Sequence, residues 1–117
     1  MGRLSTHVLD TVKGGPARGV RITLHRLEGP ARAPMKDVLT NADGRTDEPL
    51  MLGESYRPGS YELEFHIGAY FAATGAAQAN PPFLDVVPVR FSIAETDGHY
   101  HVPLLCSPWA YSTYRGS

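Results

Sequence analysis

The 117-residue chain predicts an all-β protein, two sheets packed face to face with one short helix. Three observations lead there. Twelve glycines and ten prolines cut the chain into short runs. Most of those runs alternate apolar and polar residues, the period of a strand half buried in a sheet. A single stretch, 68–79, is instead rich in alanine, the best helix former.

Taken in order, residues 4–11 alternate and are stopped by Lys13-Gly14-Gly15-Pro16, read as a turn. Residues 20–25 place Val20, Ile22 and Leu24 on one face, and Gly29-Pro30 closes that strand. A weaker strand over 35–40 ends in the Asn41-Ala42-Asp43-Gly44 turn, and 50–52 can add a short one. Residues 60–67 alternate most clearly, with Tyr61, Leu63, Phe65 and Ile67 opposed to Glu62, Glu64 and His66. The helix over 68–79 must stop at Asn80-Pro81-Pro82, because proline supplies no N–H and restricts the residue before it. Strands over 86–94, 99–106 and 110–115 follow, with Pro88 marking an edge or a bulge and Asp97-Gly98 a turn. About seven or eight strands without a linker or repeat predict one domain over residues 1–117, with two sheets around one core.

Composition excludes several classes of function. Net charge is −1, so no global field attracts nucleic acid or an anionic membrane. No apolar run approaches the roughly 18 residues of a membrane span. Cys106 is the only cysteine, which rules out an intramolecular disulfide and suits a reducing compartment. The N-terminus runs straight into a strand pattern without a secretory leader, so the expected location is cytoplasmic. There is no Gly-x-Ser-x-Gly elbow for a serine hydrolase, and no helix follows Gly14-Gly15 to make a phosphate loop.

Strand parity locates the candidate chemistry. Leu4, Thr6 and Val8 share one face of the first strand, leaving Ser5, His7 and Leu9 on the other. Tyr100, Val102, Leu104 and Cys106 form the better core face near the C-terminus, leaving His99, His101, Pro103 and Leu105 outward. Tyr114 groups with Ser112 and Gly116 on the last strand, and Arg45 follows a turn that can aim it at such a surface. Cys106, on the core face, reads as inert packing. Three meanings of the outward histidines stay open on spacing alone. They can be a solvated face, as His25 and His66 are expected to be. They can be a metal site, since His99-x-His101 puts two imidazoles on one side of a strand. Or they can move protons, for which an imidazole pKa near 6.5 is suited.

Two segments narrow this. Residues 5–11, STHVLDT, followed by Gly15-Pro16-Ala17, resemble the opening of the transthyretin family. Residues 99–117, HYHVPLLCSPWAYSTYRGS, resemble the signature of its enzymatic branch, the 5-hydroxyisourate hydrolases, whose mark is the terminal Tyr114-Arg115-Gly116-Ser117. Residues 41–50, NADGRTDEPL, are similar to the family's Gly-Arg-Thr/Cys segment. Trp109-Ala110 and Cys106 depart from the residues usual in that branch, but none of the motif's polar positions is altered. The resemblance implies a transthyretin-like sandwich of two four-stranded sheets with one short helix. It further implies a homotetramer, built as a dimer of dimers around a central tunnel, and hydrolysis of the cyclic amide of 5-hydroxyisourate. It implies His7, Arg45 and His101 as the catalytic set and His7, Arg45, Tyr114 and Ser117 as the substrate-binding set, with no metal and no cofactor. The alternative within the same fold is a non-catalytic carrier of small molecules.

Overall fold

The computed structural model describes residues 2–116, and its strands form two layers. In chain order they are β1 (Arg3–Ser5), β2 (Val8–Asp10), β3 (Gly15–Pro16), β4 (Arg21–Glu28), β5 (Ala31–Leu39), β6 (Met51–Leu52) and β7 (Gly59–His66). The helix α1 (Ile67–Thr74) follows, then β8 (Val86–Ile93), β9 (His99–His101), β10 (Leu104–Cys106) and β11 (Tyr111–Thr113).

One layer is the antiparallel sheet β5-β4-β7-β8. The other consists of two ladders, β6-β1-β9 and β3-β2-β10-β11. These ladders are halves of one sheet. β1 pairs with β9 and β2 with β10, both in parallel and both at the same 96-residue offset. The last segment likewise keeps its antiparallel register from Leu104↔Thr113 to His101↔Gly116. The expected two four-stranded sheets are therefore present, one of them interrupted in mid-strand.

That interruption corrects the reading of 4–11 and 99–106 as unbroken strands. The Thr6 hydroxyl donates to the Val102 carbonyl at 2.7 Å, where a regular ladder would use a backbone N–H. Pro103 has no N–H to give to the neighbouring strand, and its carbonyl accepts from the Thr113 hydroxyl at 2.8 Å. The bonds from Val102 N to Ser5 O and from Leu104 N to His7 O bridge the gap.

Alternation then fills the space between the layers. Leu4, Val8, Leu104 and Val102 face Ile22, Leu24, Leu63 and Phe65 in one buried cluster. Each large side chain so buried contributes about 1.5 to 3 kcal/mol relative to exposure. Cys106 belongs to this core, as its parity predicted, and burial pushes its thiol up to about 12.

Three further expectations are corrected. The helix stops at Thr74, where Gly75 adopts φ 79° and caps it in the left-handed conformation, well before Asn80. Gly15–Pro16, read as turn alone, forms the short β3. His25 and His66 are not freely solvated. His25 lies 3.8 Å from Glu64 within a network in which Arg32 contacts Glu62 and Glu64 at 2.8 and 3.1 Å, and Nε2 of His66 is buried.

Candidate active site

The site begins with the parity of β1 and β9. Leu4, Thr6, Tyr100 and Val102 are buried, which turns Ser5, His7, His99 and His101 to the outer face of the interrupted sheet. The parallel register sets Ser5 directly beside His101. The Ser5 hydroxyl lies 2.8 Å from Nδ1 of His101 and 2.9 Å from Nε2 of His99, so one oxygen touches both imidazoles.

Arg45 arrives from the following turn. The Asn41 side-chain oxygen accepts from the N–H groups of Asp43 and Arg45 at 2.9 and 3.2 Å, which tightens residues 41–45. The Val8 N–H donates to the Gly44 carbonyl at 2.8 Å and pins the turn against the break between β1 and β2. Gly44 has φ 73°, and a Cβ there would lie 2.4 Å from the Val8 carbonyl oxygen. Only glycine permits this approach, and the approach delivers Arg45 to the histidines.

A cleft of about 320 Å³ opens here, lined by Arg3, Ser5, Arg45, Glu48, His99 and His101 among others. Its surroundings lower the imidazoles toward the neutral form. Burial holds His101 below its ordinary value, helped by the Arg45 guanidinium and then by His99 and His7. His7 is likewise lowered by burial and then by Arg45, against the opposing pull of a hydrogen bond to the Asp43 backbone and of the Asp43 charge. His99 is lowered by burial and by Arg3. Neutral imidazoles next to a fixed guanidinium suit proton abstraction beside a developing negative charge.

Of the residues singled out in the sequence, Arg45 and His101 line this cleft, and His7 does not line it but is near enough for the Arg45 charge to act on it. Tyr114 is not in this cleft. It is exposed and lines a neighbouring groove with Val89, Phe91 and Tyr100. Ser117 lies outside the described residues. Ser5, Arg3 and Glu48 were not anticipated as site residues. Ser5 carried a usable signal, since it shares the parity of His7. Among the described residues, a group of three that could hold a metal ion is His25, Glu62 and Glu64, on the opposite sheet. Arg32 and Arg90 already contact its carboxylates.

A family model described as HIUase/Transthyretin matches residues 4–116. The chain belongs to the HIUase/transthyretin family. Within the family it is 59% identical over 116 residues to 5-hydroxyisourate hydrolase 2 of Rhizobium meliloti, covering 99% of this chain and 97% of the relative. The solved 5-hydroxyisourate hydrolase of Klebsiella pneumoniae superposes with a TM-score of 0.82 at 38% identity, with both chains covered completely. A crystal structure of (S)-allantoin synthase gives a TM-score of 0.94 at 49% identity over 99% of this chain, which spans 44% of that longer one. HIUase/transthyretin membership accounts for the sandwich, and the relatives carry the enzymatic name.

Proposed function

We propose that this chain hydrolyses 5-hydroxyisourate, opening its cyclic amide to 2-oxo-4-hydroxy-4-carboxy-5-ureidoimidazoline on the way from urate to allantoin. The observation that supports this is Arg45, which follows the tight Gly44 approach to Val8 and whose charge acts on the imidazoles of His7 and His101. Amide hydrolysis needs an activated water, a home for the oxyanion and a proton for the leaving nitrogen. His101 carries the proton from water to the leaving nitrogen with His7 assisting beside it, and Arg45 holds the oxyanion with its planar fork of donors. Tyr114 and Ser117 complete the substrate site at the chain end. The chain acts without a metal, in the cytoplasm. No helix among the described residues is long and apolar enough to cross a membrane.

The working form is a homotetramer, a dimer of dimers. Leu9 and Leu105 share the outer face with the histidines and are only half-buried in one chain, and β8 and β11 end their sheets unpaired. Packing two such faces together would enclose the cleft and draw Tyr114 toward substrate.

A carrier of apolar ligands is the competing reading. It is disfavoured by the charged groups of the cleft lining, Arg3, Arg45, Asp47 and Glu48, with two histidines beside them. The test is to generate 5-hydroxyisourate from urate with urate oxidase and follow its ultraviolet decay. A hydrolase at catalytic concentration accelerates the decay, whereas a carrier leaves it at the spontaneous rate.

A further inference from the structure

Ser5 stands between two histidines that point away from the core. Its oxygen is within hydrogen-bond distance of Nδ1 of His101 and Nε2 of His99 at once. A hydroxyl has one proton to donate, so it cannot donate to both nitrogens. At least one imidazole must give its N–H to Ser5, and with the other accepting the hydroxyl proton the tautomers of the two rings are coupled through a single oxygen.

We infer that Ser5 is a positioning residue for His101, its hydroxyl joining His101 and His99 into one hydrogen-bonded chain that decides which His101 nitrogen is bare and passes on the proton taken from water. The inference rests on the hydrolase reading above. In the resting direction, His101 Nδ1–H donates to Ser5 and the Ser5 hydroxyl donates to His99 Nε2. Nε2 of His101 is then bare and can accept a proton from the attacking water. As it does, the Nδ1 proton moves to the Ser5 oxygen and the Ser5 proton moves to His99 Nε2. The water proton has in effect crossed to His99, which becomes the imidazolium, while His101 is neutral and carries N–H at Nε2. That N–H is the one needed by the leaving nitrogen. Its donation draws the proton back from His99 through Ser5 and restores the starting state.

A positive charge on His101 is opposed by burial and then by the Arg45 guanidinium, and on His99 by burial and then by Arg3. Gly116 backs His101 from the other side, its N–H donating to the His101 carbonyl at 2.7 Å. The ring is held while its protons move.

The test compares the parent with Ser5→Ala and Ser5→Thr. In the parent, ¹⁵N NMR of labelled histidine should show His101 with a bare Nε2 and a protonated Nδ1 at neutral pH. Ser5→Ala should shift that signal toward the opposite tautomer, and Ser5→Thr, which keeps the hydroxyl, should not. Loss of a proton-transfer partner should lower kcat about tenfold or more in Ser5→Ala. KM should stay within about twofold, because ground-state binding is untouched. The threonine variant should recover most of the rate. A His101 already protonated at Nε2 in the unmutated protein would overturn the inference, whatever the variants do. So would an unchanged kcat in Ser5→Ala, or a Ser5→Thr as slow as Ser5→Ala. An inactive parent whose nitrogen signals respond as described would overturn the hydrolase reading and leave the hydrogen-bonded chain standing.

Discussion

The Gly116 N–H donates to the His101 carbonyl at 2.7 Å, and a Cβ on Gly116 would lie 2.7 Å from Cδ2 of the same histidine. The end of the chain is thus packed against the imidazole. Gly116 is not among the residues with positive φ, so no unusual backbone path calls for glycine here. It is needed for closeness instead. Gly116→Ala should push His101 off its geometry and cost on the order of tenfold to a hundredfold in kcat/KM. The thermal midpoint should barely move, since Tyr100, Val102 and Leu104 keep their core contacts. Steady-state kinetics beside calorimetry would check this, and an undiminished rate would show that the ring does not depend on the chain end.

His101→Ala should be more damaging than His99→Ala. His101 faces Arg45 and His7, while His99 enters the chemistry only through Ser5. Equal losses in the two variants would mean that the pair had been assigned wrongly.

Arg45→Lys should behave as a severe substitution although it keeps the charge. Lysine lacks the planar fork, so a directed contact to the oxyanion should weaken by about 2 to 4 kcal/mol. Near-normal kcat/KM would reduce Arg45 to a source of positive potential.

His7, His99 and His101 predict a particular pH dependence. Each is held below the ordinary imidazole value of 6.5 in the folded protein. The base form therefore persists below pH 6.5, and the acid limb of kcat/KM should fall under that value. Stability has the matching sign. As pH drops below 6.5 the unfolded chain binds protons that the native histidines refuse, so stability is lost until the lower native values are passed. Thermal melts at pH 7.5 and 5.5 should show the lower midpoint at 5.5, and a higher midpoint there would contradict the assignment.

A charge at Leu105, on the outer face of β10, should split the proposed tetramer because an unpaired carboxylate would be buried where two faces meet. Light scattering of Leu105→Glu should report dimers, and activity should fall with the mass. A fully active dimer would remove the tunnel from the account.

The strand period carried the placement of His7 and His101 into the sequence itself. Alternation is local, and buried Leu4, Val8, Tyr100 and Val102 leave only one face for the residues between them. What was not legible depends on non-local pairing. The register that sets Ser5 beside His101 joins residues 96 apart, and nothing within either strand encodes that offset. The break at Pro103 was likewise hidden, because a proline is tolerated or disruptive according to which neighbour needs its N–H. Arg45 could be placed after a turn, but its delivery depends on Gly44 meeting Val8, a contact between distant segments. Parity groups Tyr114 with the outer face, yet within one chain it lies in the adjoining groove. The helix end was misplaced because Gly75 acted as a cap before the prolines were reached.

The most direct test of the central claim is the initial rate at which the ring-opened acid forms from freshly generated 5-hydroxyisourate. It should be followed with catalytic amounts of the parent and of a variant carrying His7→Ala, Arg45→Ala and His101→Ala together. The account predicts many turnovers per parent chain and a variant rate indistinguishable from spontaneous opening. A parent no faster than the spontaneous reaction, or a variant as fast as the parent, would contradict it.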